Sequence, residues 1–127
     1  MAERYITIAN RTANPKVEGE YMGRSRPNPS PLGNPFYMSC EADREDVIQQ
    51  FEEWLPDQLM IEDSPQAREM ERLVELAKSG PITLVCHCYP KACHVDIIAR
   101  TIHKIISETH LFVNGEYVPF GYGYDYE

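Results

Sequence analysis

Residues 81–107 have the sequence PITLVCHCYPKACHVDIIARTIHKIIS, and this stretch decides the fold class. The short apolar run at residues 81–86 predicts a strand that is covered on both faces in a parallel sheet. From about residue 93 to residue 107, apolar residues recur at helical spacing and predict an amphipathic helix. A strand, a turn and a helix form the repeating unit of α/β proteins. We therefore expect a small α/β domain with functional side chains at this turn, near the unpaired N–H groups of the helix start.

Working outward, two strands and two helices are predicted upstream. Residues 5–10 are rich in β-forming residues and predict a first strand, and residues 21–22 suggest a short second one. Asp43 is the expected N-cap of a first helix, with Asp46 at the capping-box position, and Pro56 should end or kink that helix. The apolar positions expected to face the core are Val47, Ile48, Phe51, Trp54 and Leu55 in the first helix and Met70, Leu73, Val74 and Ala77 in the second.

The ends of the second helix and the C-terminal region also carry clear signals. Ser64-Pro65 predicts the helix start and Gly80 its end. Asn114-Gly115 lies between two β-forming runs and predicts a hairpin with a two-residue turn. The aromatic, glycine-rich tail that follows is a candidate strip for packing or for homo-oligomer formation. We expect one domain over residues 1–127, a largely parallel central sheet with flanking helices and a C-terminal β-hairpin.

Composition and charge limit the function classes. The chain has 127 residues and a net charge of -8, which fits one compact domain and argues against direct nucleic-acid binding, since such binding depends on cationic surface. No apolar run approaches the roughly 20 residues that span a bilayer, and the N-terminus lacks the apolar stretch of a signal peptide. We therefore expect a cytoplasmic protein with reduced cysteines and no membrane partner.

The acidic residues are concentrated in the middle of the chain. Residues 41–76 contain twelve acidic side chains and three arginines, whereas residues 1–35 contain five lysines or arginines and three acids. The mildly basic N-terminal third therefore remains suitable for a small anionic ligand.

Two motifs stand in order along the chain, SPLGNPF at residues 30–36 and CHCYPKACHVD at residues 86–96. With Asn10-Arg11, Gly23-Arg24 and the Trp54 helix, they resemble a family of short bacterial and phage proteins known as domain-of-unknown-function family four-three-two-six. The resemblance runs from about residue 6 to about residue 106. It implies an α/β fold, a candidate site at the two motifs and a bacterial or phage-infected host cell, and it leaves the reaction open.

The first interpretation of the Cys/His segment is a metal site. Residues 86–94 hold three of the four cysteines and two of the four histidines. Cys86 and Cys88 would point to the same side of a strand, and Cys93 and His94 would complete a four-ligand set for Zn²⁺. This spacing is unusual for one ion. The alternative is that Cys86 is a small core residue and that no cofactor is bound.

The second interpretation is catalysis by Cys88, Cys93, His94 and Asp96. The segment from Cys88 to His94 resembles the Cys-x₅-Arg loop of cysteine phosphatases, with histidine in the arginine position. Cys93 near a helix N-terminus would be favoured as a thiolate. Asp96 is a candidate general acid or base, or a partner for a ribose hydroxyl. Whether the protein is an enzyme stays open.

The interpretation we favour is a pocket for a nucleotide-like or other small anionic ligand, formed between residues 30–36 and residues 86–94. Both motifs are expected near the carboxyl ends of strands, where α/β proteins bind ligands. The alternative for the loop is a rigid turn that fills the core with Leu32 and Phe36. A sensor or host-interaction protein could use the same pocket without catalysis. The expected ligand-binding residues are Asn10, Arg11, Arg24, Ser30, Gly33, Asn34 and Lys91.

Overall fold

Three parallel strands form the sheet that carries the candidate site. The strands are β1 (Ile6–Asn10), β2 (Glu20–Tyr21) and β3 (Ile82–Cys86), and they lie in the order β1-β3-β2. The predicted parallel sheet of a small α/β domain is therefore confirmed. The computed structural model describes residues 6–24, 29–36, 38–87, 91, 93–113 and 116–119, with residues 110–113 and 116–119 described by their backbone.

The register of the sheet aligns the carboxyl ends of its strands. Asn10 pairs with Cys86 at the end of β1 and β3, and Tyr21 pairs with Val85 across β2 and β3. The amide of Met22 extends the ladder by donating to the carbonyl of Val85 at 2.9 Å. The segments that leave the three strands therefore start from the same edge, which we call the carboxyl edge.

Three α-helices are present among the described residues: α1 (Arg44–Leu59), α2 (Pro65–Ser79) and α3 (His94–Thr109). The predicted start of α2 is confirmed, because the Ser64 hydroxyl accepts a hydrogen bond from the amide of Ala67 at 3.0 Å and Pro65 occupies the first turn. Gly80 follows the last residue of α2, and its amide donates to the carbonyl of Leu76.

The N-cap position of α1 is confirmed at Asp43, but the expected side-chain cap and an end at Pro56 are not found. Asp43 precedes α1, but its carboxylate accepts from the Ser39 hydroxyl at 2.7 Å and from the Ser39 amide at 3.2 Å. A short 3₁₀ turn, Glu41–Asp43, gives Asp43 a helical backbone that does not aim its side chain at the α1 amides.

Pro56 does not end α1, which continues to Leu59. This is tolerated because Pro56 and Glu52, whose carbonyl loses its partner, are exposed to water.

The hydrophobic core lies between the helices and one face of the sheet. All four predicted α2 positions are buried, and α1 buries three of its five while Ile48 and Trp54 are partly buried. Burial of these side chains supplies the main favourable term in folding. The longest buried stripe belongs to α3 and comprises Val95, Ile97, Ile98, Ile102 and Ile106.

The C-terminal region forms a separate two-stranded sheet. Strands β4 (His110–Val113) and β5 (Glu116–Pro119) pair antiparallel, with Leu111 opposite Val118. The predicted turn residues Asn114-Gly115 and the aromatic tail lie outside the described residues, so the two-residue turn and the oligomer contact stay predictions. None of the described helices combines the length and the apolar character needed to cross a bilayer.

Candidate functional site

The start of α3 is held by a capping arrangement between Cys93 and Asp96. The amide of Cys93 donates to the Asp96 carboxylate at 3.2 Å, and the Cys93 sulfur accepts from the amide of Val95 at 3.4 Å. Cys93 is buried, with 5% of its surface exposed. These contacts satisfy amides that would otherwise lack partners at the helix start. Two predicted catalytic residues are thus brought together, and both contribute to ending the turn and beginning the helix.

His94 connects the start of α3 to the end of β2. Its Nε2 lies 2.7 Å from the carbonyl oxygen of Met22, and its ring meets the Phe51 ring edge-on at a centroid distance of 5.1 Å. A carbonyl oxygen only accepts, so Nε2 must carry a proton. Burial lowers the pKa of His94, and the nearby positive charge of Arg24 adds to this effect. The neutral ring therefore keeps Nδ1 as a hydrogen-bond acceptor.

The loop at residues 30–36 is built by its own polar side chains. The Ser30 hydroxyl accepts from the amide of Leu32 at 3.0 Å, and the Asn34 side-chain oxygen accepts from the amide of Phe36 at 2.9 Å. The Asn34 amide group also donates to the carbonyl of Val47 in α1 at 3.1 Å. Leu32 is fully buried in the core. The rigid-turn interpretation is therefore correct for Leu32, whereas Phe36 is only partly buried and does not fill the core.

Gly33 allows the loop to approach the end of β2 closely. A Cβ atom at Gly33 would lie 2.6 Å from Cγ of Arg24 and 3.1 Å from the carbonyl oxygen of Gly23. The amide of Ser30 donates to that same carbonyl at 2.8 Å. Because Gly33 has no side chain, the loop packs closely against Cγ of Arg24. This contact restricts the position of the Arg24 side chain.

A cleft of about 310 Å³ opens between the loop and the start of α3. Four apolar side chains, Phe36, Met38, Val47 and Ile48, which we call the apolar wall, line it together with Arg24, Arg44 and His94. None of the described residues that line it is acidic. The predicted meeting of the two motifs is therefore a feature of the fold. The lining residues are Gly23, Arg24, Asn34, Phe36, Met38, Arg44, Val47, Ile48, Cys93 and His94.

Arg44 and the apolar wall were missed from the sequence. Arg44 is one of three arginines in the acidic middle segment, and its charge is hidden there among twelve acids. It also pairs with the exposed Glu41, and hydrogen bonds from Arg44 lower the pKa of that carboxyl. Glu41 therefore offsets part of the Arg44 charge beside the cleft.

Two larger grooves lie between the helices, with volumes of about 510 Å³ and 820 Å³. The smaller one has four acidic side chains and one arginine in its lining, so it would repel an anion. The larger one runs along α1 and α3 and contains none of the predicted site residues. The chemistry of the lining, and not the volume, makes the 310 Å³ cleft the candidate ligand site.

The remaining predicted site residues lie outside this cleft or outside the described residues. Asn10 and Arg11 lie at the carboxyl edge, where the Asn10 side-chain oxygen accepts from the amide of Thr12 at 2.7 Å. Lys91 is exposed and lies 3.7 Å from a carboxylate oxygen of Glu41. Cys88 lies outside the described residues, so its catalytic role stays a prediction.

The alternative zinc set of Cys86, Cys88, Cys93 and His94 includes one residue that the structure does not describe. Within the part of the chain that is described, no three Cys, His, Asp or Glu side chains are grouped as metal ligands. Cys86 is buried at 2% exposure, as expected of a small core residue at the end of β3. His94 already uses Nε2 to hold the Met22 carbonyl, so only Nδ1 could bind a metal.

The buried His94 predicts a pH dependence of stability. Its folded-state pKa lies below the unfolded value of about 6.5, so the unfolded chain binds the proton more readily. The free energy of unfolding should therefore fall as the pH drops below about 6.5, with a slope of at most about 1.4 kcal/mol per pH unit until the folded-state pKa is passed.

Urea denaturation at pH values between about 7 and 5 measures this slope, and His94→Gln supplies the comparison. In His94→Gln the free energy of unfolding should depend less steeply on pH, because only the other titrating groups still contribute to the slope. Equal slopes in the two proteins would show that His94 takes up its proton equally well folded and unfolded.

Comparison with known families agrees with the motif analysis. Residues 8–104 match the family described as a domain of unknown function, DUF4326. Among curated proteins and among solved structures, no match to the chain was found. The match covers part of β1, all of β2, β3, α1 and α2, and most of α3.

Proposed function

We propose that this chain, which belongs to the DUF4326 family, binds a nucleotide-like or other small anionic ligand in the 310 Å³ cleft. The observation that carries the proposal is the lining of the cleft, which combines two arginines, an amide and a neutral histidine with an apolar wall. Guanidinium groups bind phosphate and carboxylate through paired, charge-assisted hydrogen bonds.

The size and shape of the cleft support a compact ligand. Its volume of about 310 Å³ lies at the lower end of the range of about 300–1,000 Å³ found for small-molecule pockets. The apolar wall contains Phe36, Met38, Val47 and Ile48, which suits a flat ring or another apolar group. An anionic group would then contact Arg24, which lines the same cleft. A nucleoside monophosphate has this combination of a ring and an anion.

The rigidity of the walls also favours binding. Asn34 bridges the loop to α1, and His94 bridges α3 to the end of β2, each through one buried or partly buried hydrogen bond. Walls joined in this way lose little conformational entropy when a ligand enters. The contacts of Cys93 and Asp96 belong to the helix cap, so the described geometry supports binding more directly than catalysis.

The test is a thermal-shift and calorimetric comparison of ribonucleoside 5′-monophosphates with the matching uncharged nucleosides. We expect at least one monophosphate to raise Tm and to bind more tightly than its nucleoside. Arg24→Gln should weaken that binding by about tenfold to about a hundredfold, because a hydrogen bond to a charged group contributes about 1.5–3 kcal/mol.

Arg100→Gln is the matched control, because Arg100 is an exposed arginine that lines the separate α1–α3 groove. It removes the same charge and should leave the monophosphate affinity nearly unchanged. Equal losses of monophosphate affinity in the two variants would mean that general electrostatic attraction, and not a contact with Arg24, accounts for the binding. If none of the monophosphates binds, this ligand class is wrong.

The sequence-based prediction of catalysis can be tested in the same samples. Serine is a good N-cap residue, so Cys93→Ser removes the thiol and keeps the cap of α3. Conversion of a bound probe by the wild type and not by Cys93→Ser would add thiol chemistry to the proposed binding. Binding without conversion in either protein would identify a binding or sensing role.

A further inference from the structure

Four side chains form a second polar cluster at the carboxyl edge, outside the cleft. Thr12 Oγ1 lies 2.7 Å from Nδ1 of His87, and the His87 ring meets the Tyr21 ring edge-on at 5.6 Å. The Arg11 guanidinium carbon lies 5.4 Å from the centroid of the same tyrosine ring. We call Arg11, Thr12, Tyr21 and His87 the edge cluster. Arg11 and Thr12 follow β1, Tyr21 belongs to β2, and His87 is the residue after β3.

The backbone at the edge cluster is held by local hydrogen bonds. The amide of Arg11 donates to the carbonyl of Cys86 at 2.8 Å, which joins the ends of β1 and β3. The Asn10 side-chain oxygen accepts from the amides of Thr12 and Ala13 at 2.7 Å and 3.2 Å. Asn10 therefore acts as a turn-forming residue that positions Thr12 beside His87.

Tyr21 connects the edge cluster to the cleft. A Cβ atom at Gly23 would lie only 2.3 Å from the Tyr21 hydroxyl oxygen, so this hydroxyl packs directly on the Gly23 backbone. Gly23 itself lines the cleft. The edge cluster and the cleft are thus neighbours along the same edge of the sheet, with the small Gly23 between them.

We propose that the edge cluster is a second anion-binding subsite, which takes a further phosphate group of the ligand that occupies the cleft. This inference rests on the proposed function and narrows the ligand to a nucleoside with more than one phosphate. Arg11 supplies a guanidinium that donates to phosphate oxygens. Because Thr12 and His87 hydrogen-bond to each other, a neutral imidazole leaves one further donor, either the Thr12 hydroxyl or Nε2 of His87. The position at the ends of parallel strands is where α/β sheets bind such ligands.

The chemistry of the edge cluster fits phosphate better than a neutral group. The Arg11 guanidinium carbon lies over the Tyr21 ring at 5.4 Å from its centroid, which holds a positive charge at the edge cluster. The four members of the cluster include a cation and no carboxylate. His87 and Thr12 are exposed, so a phosphate group can contact them without opening the core.

The experiment compares ribonucleoside 5′-diphosphates with the corresponding 5′-monophosphates by calorimetry at one ionic strength. The readout is the ratio of diphosphate affinity to monophosphate affinity. We expect a ratio of about ten or more in the wild type, because the added phosphate gains a charge-assisted contact. Arg11→Gln should bring the ratio close to one, and Thr12→Val, which removes only the hydroxyl, should reduce it by a smaller factor.

Two further variants separate the subsite from the cleft and from general charge effects. Lys16→Gln removes an exposed cation from the same loop and should leave the ratio unchanged. Arg24→Gln should lower both affinities by similar factors and also keep the ratio. A ratio that stays high in Arg11→Gln, or falls equally in Lys16→Gln, would overturn the subsite.

The outcomes also distinguish this inference from the proposed function. If monophosphates bind and diphosphates bind no more tightly, the edge subsite is wrong and the cleft proposal stands. If neither class binds, both proposals are wrong for nucleoside phosphates.

Discussion

Replacing Phe51 with alanine is expected to lower the free energy of unfolding by about 3–5 kcal/mol. Phe51 is fully buried in α1 and contacts the rings of Trp54 and His94 at centroid distances of 5.7 Å and 5.1 Å. Alanine removes the ring and leaves a cavity that the surrounding helices fill only in part. Because small domains have a total stability of about 5–15 kcal/mol, this one change should remove a large share. Urea denaturation monitored by circular dichroism measures the loss.

Met60→Ala provides the matched control for Phe51→Ala. Met60 follows α1 and is 83% exposed, so its removal should change the free energy of unfolding by no more than about 0.5 kcal/mol. A loss below about 1 kcal/mol in Phe51→Ala would contradict the packing described for α1. Phe51→Leu keeps most of the volume and removes the ring contacts with Trp54 and His94. Of these two residues only His94 lines the cleft, so a folded Phe51→Leu protein with weaker monophosphate binding would show that the core positions His94.

The features predicted from local sequence were those that depend on periodicity and on short-range rules. The apolar run before Cys86, the amphipathic α3 and the Ser64-Pro65 start of α2 follow from spacing and capping preferences alone. Asp43 is the N-cap residue of α1 as predicted, but its side chain does not cap the helix, because the carboxylate accepts from the nearby Ser39 hydroxyl. Capping preference indicates which residue can cap a helix but not which of two nearby partners it chooses.

The features that were missed depend on contacts between distant parts of the chain. Thr12 and His87 are 75 residues apart, and only the parallel pairing of β1 with β3 brings them to 2.7 Å. Nothing in their local surroundings marks them as partners. Arg44 is part of an acidic segment, and it lines the cleft where Asn34 of the loop bonds to Val47 of the same helix. Long-range pairing therefore determined the parts of the candidate site that the sequence did not predict.

Replacing Leu32 with alanine is expected to cost about 2–5 kcal/mol of stability, although Leu32 belongs to a loop. Its side chain is fully buried beside the core residues of the helices and the sheet. Ser30 holds the turn by accepting from the amides of Leu32 and Gly33 at 3.0 Å and 2.9 Å. The loop is therefore anchored by one inward apolar side chain, and its loss should also weaken monophosphate binding by freeing the wall of the cleft. Denaturant unfolding and calorimetry measure the two effects.

Leu32→Met conserves the buried volume and should cost less than about 1.5 kcal/mol while keeping the cleft. Arg24→Gln should affect binding and not stability. We expect weaker monophosphate binding and little change in the free energy of unfolding, because Arg24 is exposed. Together these results would show that Leu32 anchors the loop in the core and that Arg24 binds the ligand. Full stability of Leu32→Ala would mean that the core closes without this loop, and the cleft wall would then need another support.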